Sequence, residues 1–312
     1  MEKLVGAVDI GGTKIAVGLV DVEGRILACE VSPTAPEKGV EDGLARIQTM
    51  LAACQEQRPD SQVIGIGLGC TGPVDPETGV LGPNSFLPLW EGVELVERLK
   101  AMTGVTVAIE NDADAAALGE VAWGAGRGAT HCIYVTVSTG IGCGIVLDGK
   151  LYRGANGAHP ELGHFVIDWD RGPACFCGAK GCWESLASGP AMASWYRSRA
   201  EDLSLAPGQV DAREICSRAE AGEALAQSVV EREGLYLGIG LANLISTFVP
   251  QVIVLGGGVM ESWPLFANRA TAMIRQNCGL VPYEKTDLRL ASLGARTGLA
   301  GAARVWYHRF HA

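Results

Sequence analysis

Apolar and polar positions along this chain fall into short, repeated blocks. Residues 4 to 31 read LVGAVDI, GGTK, IAVGLV, DVEG and RILACEV, three apolar runs separated by two turn-forming stretches. That pattern predicts a three-strand meander. Helix-period apolar positions follow over residues 39 to 57, then a buried strand at 63 to 69 (VIGIGLG), a Pro/Gly-rich loop at 70 to 90, a helix near 92 to 102 and a strand at 105 to 109. The alternation is that of a mixed α/β domain. A second meander starts near residue 132 and reads CIYVTVS, TGIGCG and IVLDGKLYRG. Aligning Asp21 with Asp148 sets the two hairpins 127 residues apart, each with a Gly/Thr-rich first turn and an Asp/Gly second turn. A tandem duplication accounts for this, with chance likeness between two glycine-rich hairpins as the alternative. A polar helical stretch at 211 to 233 then leads to an apolar helix at 235 to 248, a strand at 251 to 255, a glycine triplet and further helices.

Composition sharpens the picture. A chain of 312 residues, 48% hydrophobic and 19% charged, has the length for about two domains and enough apolar surface to exclude general disorder. Its 42 glycines, with no collagen period, mark tight turns and places where backbone approaches a ligand. The net charge of −10, with no basic cluster, argues against nucleic acid as a partner. No apolar stretch reaches the ~18 residues of a membrane span, and Asp9 interrupts the first apolar run where a signal peptide would be uniformly apolar, so a cytoplasmic protein is expected. Seven of the ten cysteines lie singly in apolar segments, as buried thiols of a reducing compartment would.

Three glycine turns follow apolar strands: Gly11-Gly12-Thr13-Lys14, Thr139-Gly140-Ile141-Gly142 and Gly256-Gly257-Gly258. Consecutive glycines let backbone N–H groups converge on an anion, although a plain hairpin turn explains any one of them. None matches the dinucleotide fingerprint or the P-loop, which argues against a hydride enzyme or a P-loop nucleotidase. In an acidic chain a phosphate ligand would need local positive potential, which Lys14, exposed amides and a Mg²⁺ near Asp9 could supply.

Residues 107 to 124 read VAIENDADAAALGEVAWG, a strand ending in Glu110-Asn111-Asp112 and then an Ala-rich helix, with Asp112 at or near its N-cap. Asp112 can serve as a cap, or its carboxylate at a strand end can take a proton from a substrate hydroxyl. The most specific chemical signal is His164 followed by Cys175-x-Cys177-x4-Cys182, three thiolates and one imidazole, the complement of a closed tetrahedral Zn²⁺ site. With all four positions filled by protein, such a zinc would be structural, fixing the loop that carries His164 and Glu184.

AVDIGGTKIAVGLVD, ENDADAAALGE, VTVSTGIGCGIVLDGKLYRGANGAHPELGH, CFCGAKGCWESLASG and VIVLGGGV together resemble the ROK (repressor, open reading frame, kinase) family of sugar kinases, within the actin-like ATPase superfamily. The resemblance spans nearly the whole chain. It implies an α/β fold of two ribonuclease-H-like domains with an interdomain cleft: a small domain of residues 1–116 joined by the C-terminal helix 297–312, and a large domain of residues 117–296. It implies Asp112 as acceptor of the sugar 6-hydroxyl proton, with Asn84, Asn111, Glu161, His164 and Glu184 holding sugar hydroxyls. Asp9, Gly11, Gly12, Thr13, Lys14, Thr139 and Gly140 would embrace the phosphates, and Gly256 and Gly257 would lie against the adenosine. ATP, Mg²⁺ and a structural Zn²⁺ are the implied cofactors, and a homodimer or homotetramer the implied assembly.

Two positions depart from the family's common pattern. His159-Pro160 precedes Glu161 where Gly often stands, a feature resembling the fructokinase branch, whereas the cysteine cluster looks more like the glucokinase branch. Asp114 stands where Asn is common, which a surface position on the helix would explain. The expected activity is ATP-dependent phosphorylation of a hexose, glucose first, with fructose, N-acetylglucosamine or N-acetylmannosamine as alternatives. A sugar-responsive repressor is the rival from another class; such repressors place a helix-turn-helix ahead of the first meander, whereas the first strand here is expected from Leu4. A non-catalytic actin-like binding module would have no use for Asp112 and the sugar-binding set together.

Overall fold

The computed structural model describes residues 1–202 and 209–311. Strands β1 (Glu2–Ile10), β2 (Lys14–Val20) and β3 (Ile26–Pro33) form the first meander, followed by helix α1 (Gly39–Glu56), β4 (Ser61–Cys70), α2 (Leu95–Thr103), β5 (Thr106–Asn111) and α3 (Asp112–Trp123). The second series is β6 (Cys132–Val137), β7 (Ile141–Leu147), β8 (Lys150–Leu151), α4 (Trp183–Leu186), α5 (Gly189–Asp202), α6 (Ala212–Glu220), α7 (Ala224–Phe248), β9 (Val252–Gly256), α8 (Trp263–Asn277), β10 (Asp287–Leu290) and α9 (Thr297–Phe310). Two five-stranded sheets result, ordered β3-β2-β1-β4-β5 and β10-β9-β6-β7-β8. The chain divides into two compact units, residues 1–134, 144–160 and 291–312 in one and residues 135–143 and 161–290 in the other.

Each sheet joins an antiparallel start to parallel additions, which is why the strands read as apolar runs with little alternation. In the first sheet β1 pairs antiparallel with β2 and parallel with β4, and β4 runs parallel to β5. Parallel strands need crossovers, and here the crossover helices cover one face of the sheet while the C-terminal helix covers the other. Val8, Ile10, Ile15 and Val17 point to one face and pack with Leu44 and Ile47 of α1 and Leu95 and Leu99 of α2. The alternate residues Val5, Ala7 and Ala16 point to the other, against Leu299, Ala302, Ala303, Trp306 and Tyr307 of α9.

That second face is built from small residues so that α9 can come close. A side chain on Gly67 would strike the carbonyl of Ala302, and one on Gly65 the Trp306 ring, whose Nε1 donates to Thr106 Oγ1 at 2.8 Å. α9 also lies on α3, where a side chain on Gly301 would meet the carbonyl of Ala115.

Several expectations need correction. The polar stretch at 211 to 233 is two helices, because Gly222, at φ 91°, breaks the helix between α6 and α7, and α7 then runs unbroken to Phe248. β10, an edge strand of four residues, lay within a stretch expected to be helical; it is too short and polar to show a period. The third strand of the second meander, β8, has only two residues. Of the seven scattered cysteines, Cys54, Cys70, Cys132, Cys143, Cys216 and Cys278 are buried, but Cys29 is exposed. Among the described residues no helix is long and apolar enough to cross a membrane.

Gly67→Ala should lower folding stability by about 1–3 kcal/mol or more, since a methyl group is forced against a fixed backbone carbonyl. Gly279→Ala, at a position with nothing within 4 Å, should be close to neutral. Urea denaturation of both variants checks this, and equal midpoints would contradict the tight seat assigned to α9.

Candidate active site

The first unit gathers its polar side chains where β1, β4 and β5 end. β5 stops at Asn111, whose side-chain oxygen accepts from Ala113 N at 2.8 Å, so Asn111 is the N-cap of α3 and Asp112 its first residue. Asp112 Oδ1 also accepts from Ala113 N, at 2.9 Å. Both side chains thus stand at the carboxyl end of the sheet, where α/β folds bind ligands.

Gly72 assembles the neighbouring amides. It holds φ 91°, and a side chain there would strike Asn84. The Asn84 amide donates to Thr71 O at 2.6 Å while its oxygen accepts from Phe86 N at 2.9 Å, and the Asn111 amide donates to Gly72 O at 3.2 Å. A carboxamide carries two N–H hydrogens, so each asparagine retains a second donor direction beyond these backbone contacts.

Asp9, one residue from the end of β1, faces α9, where any side chain at Gly298 would collide with its carboxylate. Asp9 Oδ1 and the Cα of Asp112 both lie within 4.0 Å of the place a Cβ on Gly69 would take. Burial pushes the Asp9 carboxyl up to about 7, the nearby Asp112 adds to the rise, and Lys14 opposes it. The turn that follows is tied down by Gly11 N to Lys14 O at 2.9 Å and by Thr34, which donates to Gly11 O at 2.6 Å and to Thr13 O at 3.0 Å. Thr13 and Lys14 remain exposed.

In the second unit the glycine turn and Glu184 form one structure. Ile141 N donates to Glu184 Oε2 at 2.9 Å, and a side chain on Gly140 would occupy the place of that carboxylate. Burial raises the Glu184 carboxyl above the ordinary carboxylate range, against the Ile141 N–H. Glu161 is exposed and opens a single 3-10 turn, Leu162–His164, which Gly163 lets press against the Ile141 carbonyl. His164 Nδ1 lies 3.5 Å from Cys175 Sγ, Cys177 and Cys182 sulfurs are 3.6 Å apart, and all four donor atoms fall within 4.8 Å of one another. Tetrahedral ligation at bond lengths of about 2.0–2.3 Å spaces donors by roughly 3.5–3.8 Å, so this set fits a closed tetrahedral site.

A cavity of about 500 Å³ opens beside the same turn, lined by Ser138, Thr139, Pro190, Arg213, Gly258 and Glu261 among others. Gly256 and Gly257 are not among its lining residues. Gly257, at φ 89°, leaves room for the backbone of Val137, while Gly258 faces the cavity. Pro190, Asp211, Arg213 and Glu261 were not singled out from the sequence, because they sit on helix starts and loops that carry no motif.

Asp114 was expected at the helix surface and is instead buried, with His159 Nδ1 2.8 Å from its Oδ2. Buried Glu120, near the other end of α3, accepts from the backbone N–H groups of Ala125, Ser292 and Leu293 at 2.7, 3.3 and 3.1 Å, fixing the segment that leads into α9. Apart from Ala125, five residues from Glu120, those partners lie 45 to 173 residues away, beyond the reach of local sequence signals.

A mixed sheet opened by an antiparallel hairpin with a glycine turn, occurring twice in one chain, is the architecture of the actin-like ATPase fold. The chain belongs to the ROK family, whose model matches residues 5–309. It is 37% identical over 269 residues to a glucokinase from Thermotoga maritima, covering 83% of each chain. A ROK family glucokinase from Streptomyces griseus, solved with glucose and AMPPNP, is similar with a TM-score of 0.81 at 33% identity, over 96% of this chain and 98% of that one. A xylose repressor from Bacillus subtilis is 31% identical over 97% of this chain and 77% of its own length.

With its carboxyl near 7 in the folded protein and at the ordinary 3.8 in the unfolded chain, Asp9 binds a proton in the folded state alone between about pH 4 and 7. Folding stability therefore falls as pH rises through that window, by up to about 4 kcal/mol, and stays lower above it. Asp9→Asn should abolish that fall and exceed the parent in stability at pH 8. Chemical denaturation from pH 4.5 to 8.5 tests this, and parallel curves for the two proteins would refute it.

Proposed function

We propose that this chain is an ATP-dependent glucokinase that forms glucose 6-phosphate and ADP. The observation that carries this reading is the cluster at the end of β5: an acid at the first residue of α3, with two asparagines pinned beside it by Gly72 and a second acid, Asp9, near by. Among known proteins, glucokinases at 37% and 33% identity support the enzyme and the sugar.

In this mechanism Asn84, Asn111, Glu161, His164 and Glu184 bind the sugar hydroxyls. Neutral polyols are discriminated by such paired donors and acceptors, because a missing hydroxyl leaves a protein group unpaired. Asp112 accepts the proton of the 6-hydroxyl as that oxygen bonds to the γ-phosphorus and the bond to the ADP oxygen breaks. MgATP is the second substrate. Gly11, Gly12, Thr13 and Lys14 with Thr139 and Gly140 hold its phosphates, and the cavity bounded by Gly258 takes the adenosine, with Gly256 and Gly257 setting the strand end behind it. Asp9 would help to hold the cation, whose positive charge would relieve the like-charge strain between Asp9 and Asp112. The functional lobes in this reading are residues 1–116 with helix 297–312, and residues 117–296. The setting is cytoplasmic sugar metabolism and the assembly a homodimer or homotetramer.

His164, Cys175, Cys177 and Cys182 would hold a structural Zn²⁺, which stiffens the loop between His164 and Glu184 when bound. The chemistry does not pass through it.

The likeness to a xylose repressor gives the second reading, a regulator that binds sugar without turning it over. ADP release measured with glucose, fructose, mannose, N-acetylglucosamine and N-acetylmannosamine separates the two. Glucose should lead in kcat/KM by at least roughly tenfold, and Asp112→Asn should cut kcat by about 10²- to 10⁴-fold. Binding without turnover would establish the regulator, and another sugar in the lead would overturn the glucose assignment alone.

Protein purified without chelator should contain one zinc per chain by elemental analysis. Cys177→Ala should lose the metal, melt at lower temperature and bind sugar less tightly. A metal-free parent of full stability would count against the zinc assignment.

A further inference from the structure

A buried hydrogen-bonded pair, His159–Asp114, and an ion pair, Arg153–Glu110, fasten the segment after β8 to the start of α3. His159 Nδ1 lies 2.8 Å from Asp114 Oδ2, with side chains 6% and 3% exposed. Six residues earlier, Arg153 Nε donates to both oxygens of Glu110 at 2.9 and 3.0 Å, and its terminal nitrogen bonds the same carboxylate. The Glu110 side chain is 7% exposed, and although burial raises its carboxyl, Arg153 opposes the rise. Glu110 and Asp114 bracket Asn111 and Asp112 along the chain, so the pairs grip both ends of the turn that carries the acid. Between Arg153 and His159 the backbone closes in a 3-10 turn, Ala155–Gly157, with Gly154 and Gly157 at φ 73° and 77°, and Gly157 rests on Pro76.

Stability alone is a poor explanation for this arrangement. Removing charges from water costs several kcal/mol per ion, and well-packed apolar residues of similar volume are commonly as stable or more so. Asp114 Oδ1 moreover has no hydrogen-bond partner among the described residues, so the carboxylate is not fully compensated. What a buried, directional pair supplies that an apolar contact does not is a fixed position.

We propose that Asp114–His159, supported by Glu110–Arg153, is a positioning clasp for sugar recognition, holding the backbone two residues ahead of Glu161 against the turn that carries Asp112. The inference rests on the kinase reading above for its consequence. None of the four clasp residues need touch the sugar; they act through Glu161, so the effect should fall on sugar affinity and discrimination and not on ATP.

Steady-state kinetics of His159→Ala, His159→Gln and Arg153→Lys test it, with thermal melting alongside. His159→Ala should raise the sugar KM about tenfold while the ATP KM stays within twofold. The kcat/KM preference for the favoured hexose over its deoxy analogue at the Glu161-facing hydroxyl should shrink about as much. His159→Gln keeps a donor that can reach Asp114 and should recover to within about threefold of the parent. If His159→Ala does not fold, Arg153→Lys, which loses the bidentate contact, should raise the sugar KM about threefold with the ATP KM unmoved. A folded His159→Ala with unchanged sugar KM, sugar and ATP KM values rising together with falling melting temperature, or no recovery in His159→Gln would each overturn the clasp. If the parent phosphorylates no sugar, it is the kinase reading that fails. Hydrogen exchange over residues 152–160 then decides the clasp: protection lost in the clasp variant supports it, and unchanged exchange overturns it.

Discussion

Helix α3 is buried along most of its length and still carries acids at both ends, and much of the first unit is arranged to make that tolerable. Asp114 and Glu120 are 2% and 0% exposed, and Glu110 just before the helix is 5% exposed. An uncompensated carboxylate in such surroundings would be untenable, so each draws a partner from a distant part of the chain. Arg153 and His159 come from the segment after β8, and the backbone of residues 292 and 293 from the approach to α9. The compensation of these charges therefore draws two sequence-remote segments onto one helix. Asp112 then sits at the helix start in fixed surroundings, which suits the proton acceptor proposed for it, since its orientation is set before a substrate arrives.

Glycine makes the same unit thin enough to work. The face of β4 is Gly65 and Gly67 beneath α9 and Gly69 beneath α3, and the two helices cross at Gly119 and Gly301, where a Cβ on Gly119 would lie 3.0 Å from Gly301. Such close approach brings Gly298 up to half-buried Asp9 and crowds water from around it, and this burial is the main reason its carboxyl is pushed up. The perturbed acid is thus a consequence of backbone packing, and it lies next to Asp112. Charge strain of that kind gathers where chemistry is done, because a substrate or cation that relieves it is bound more tightly for doing so.

In the second unit the corresponding economy is shared use of one turn. The Ile141 amide binds Glu184, Gly163 and Gly140 leave space for the neighbouring loop and carboxylate, and the cavity starts at Ser138 and Thr139. Displacing Glu184 would therefore disturb the turn and the cavity edge together. Its position depends in turn on the loop from His164 to Cys182, held by its own turns, such as Cys175 N to Ala179 O at 2.8 Å, and by the Tyr236 hydroxyl, which donates to Asp168 Oδ2 at 2.7 Å. A loop of that kind lacks an apolar core, and a four-donor cluster is a physical means of holding it.

Local signals determined a good part of this protein. The apolar runs and turn residues of the two meanders, the strand-to-helix switch at Asn111 and Asp112, and the spacing of His164, Cys175, Cys177 and Cys182 were legible because each involves residues adjacent or nearly adjacent in the chain. Repetition of the hairpin likewise showed in the sequence as two mixed sheets. Tertiary structure decided the rest. Asp114 looked like a surface residue because an Ala-rich helix has no polar face to contrast with it, and only the packing of α9 and of the segment after β8 buries it. The residues lining the cavity come from helix starts with no shared motif, and β10 is an edge strand without a period. Hydrophobic periodicity and turn chemistry report on neighbours along the chain; which distant carboxylate meets which distant cation is set by how sheets and helices pack, and that information resides in the fold.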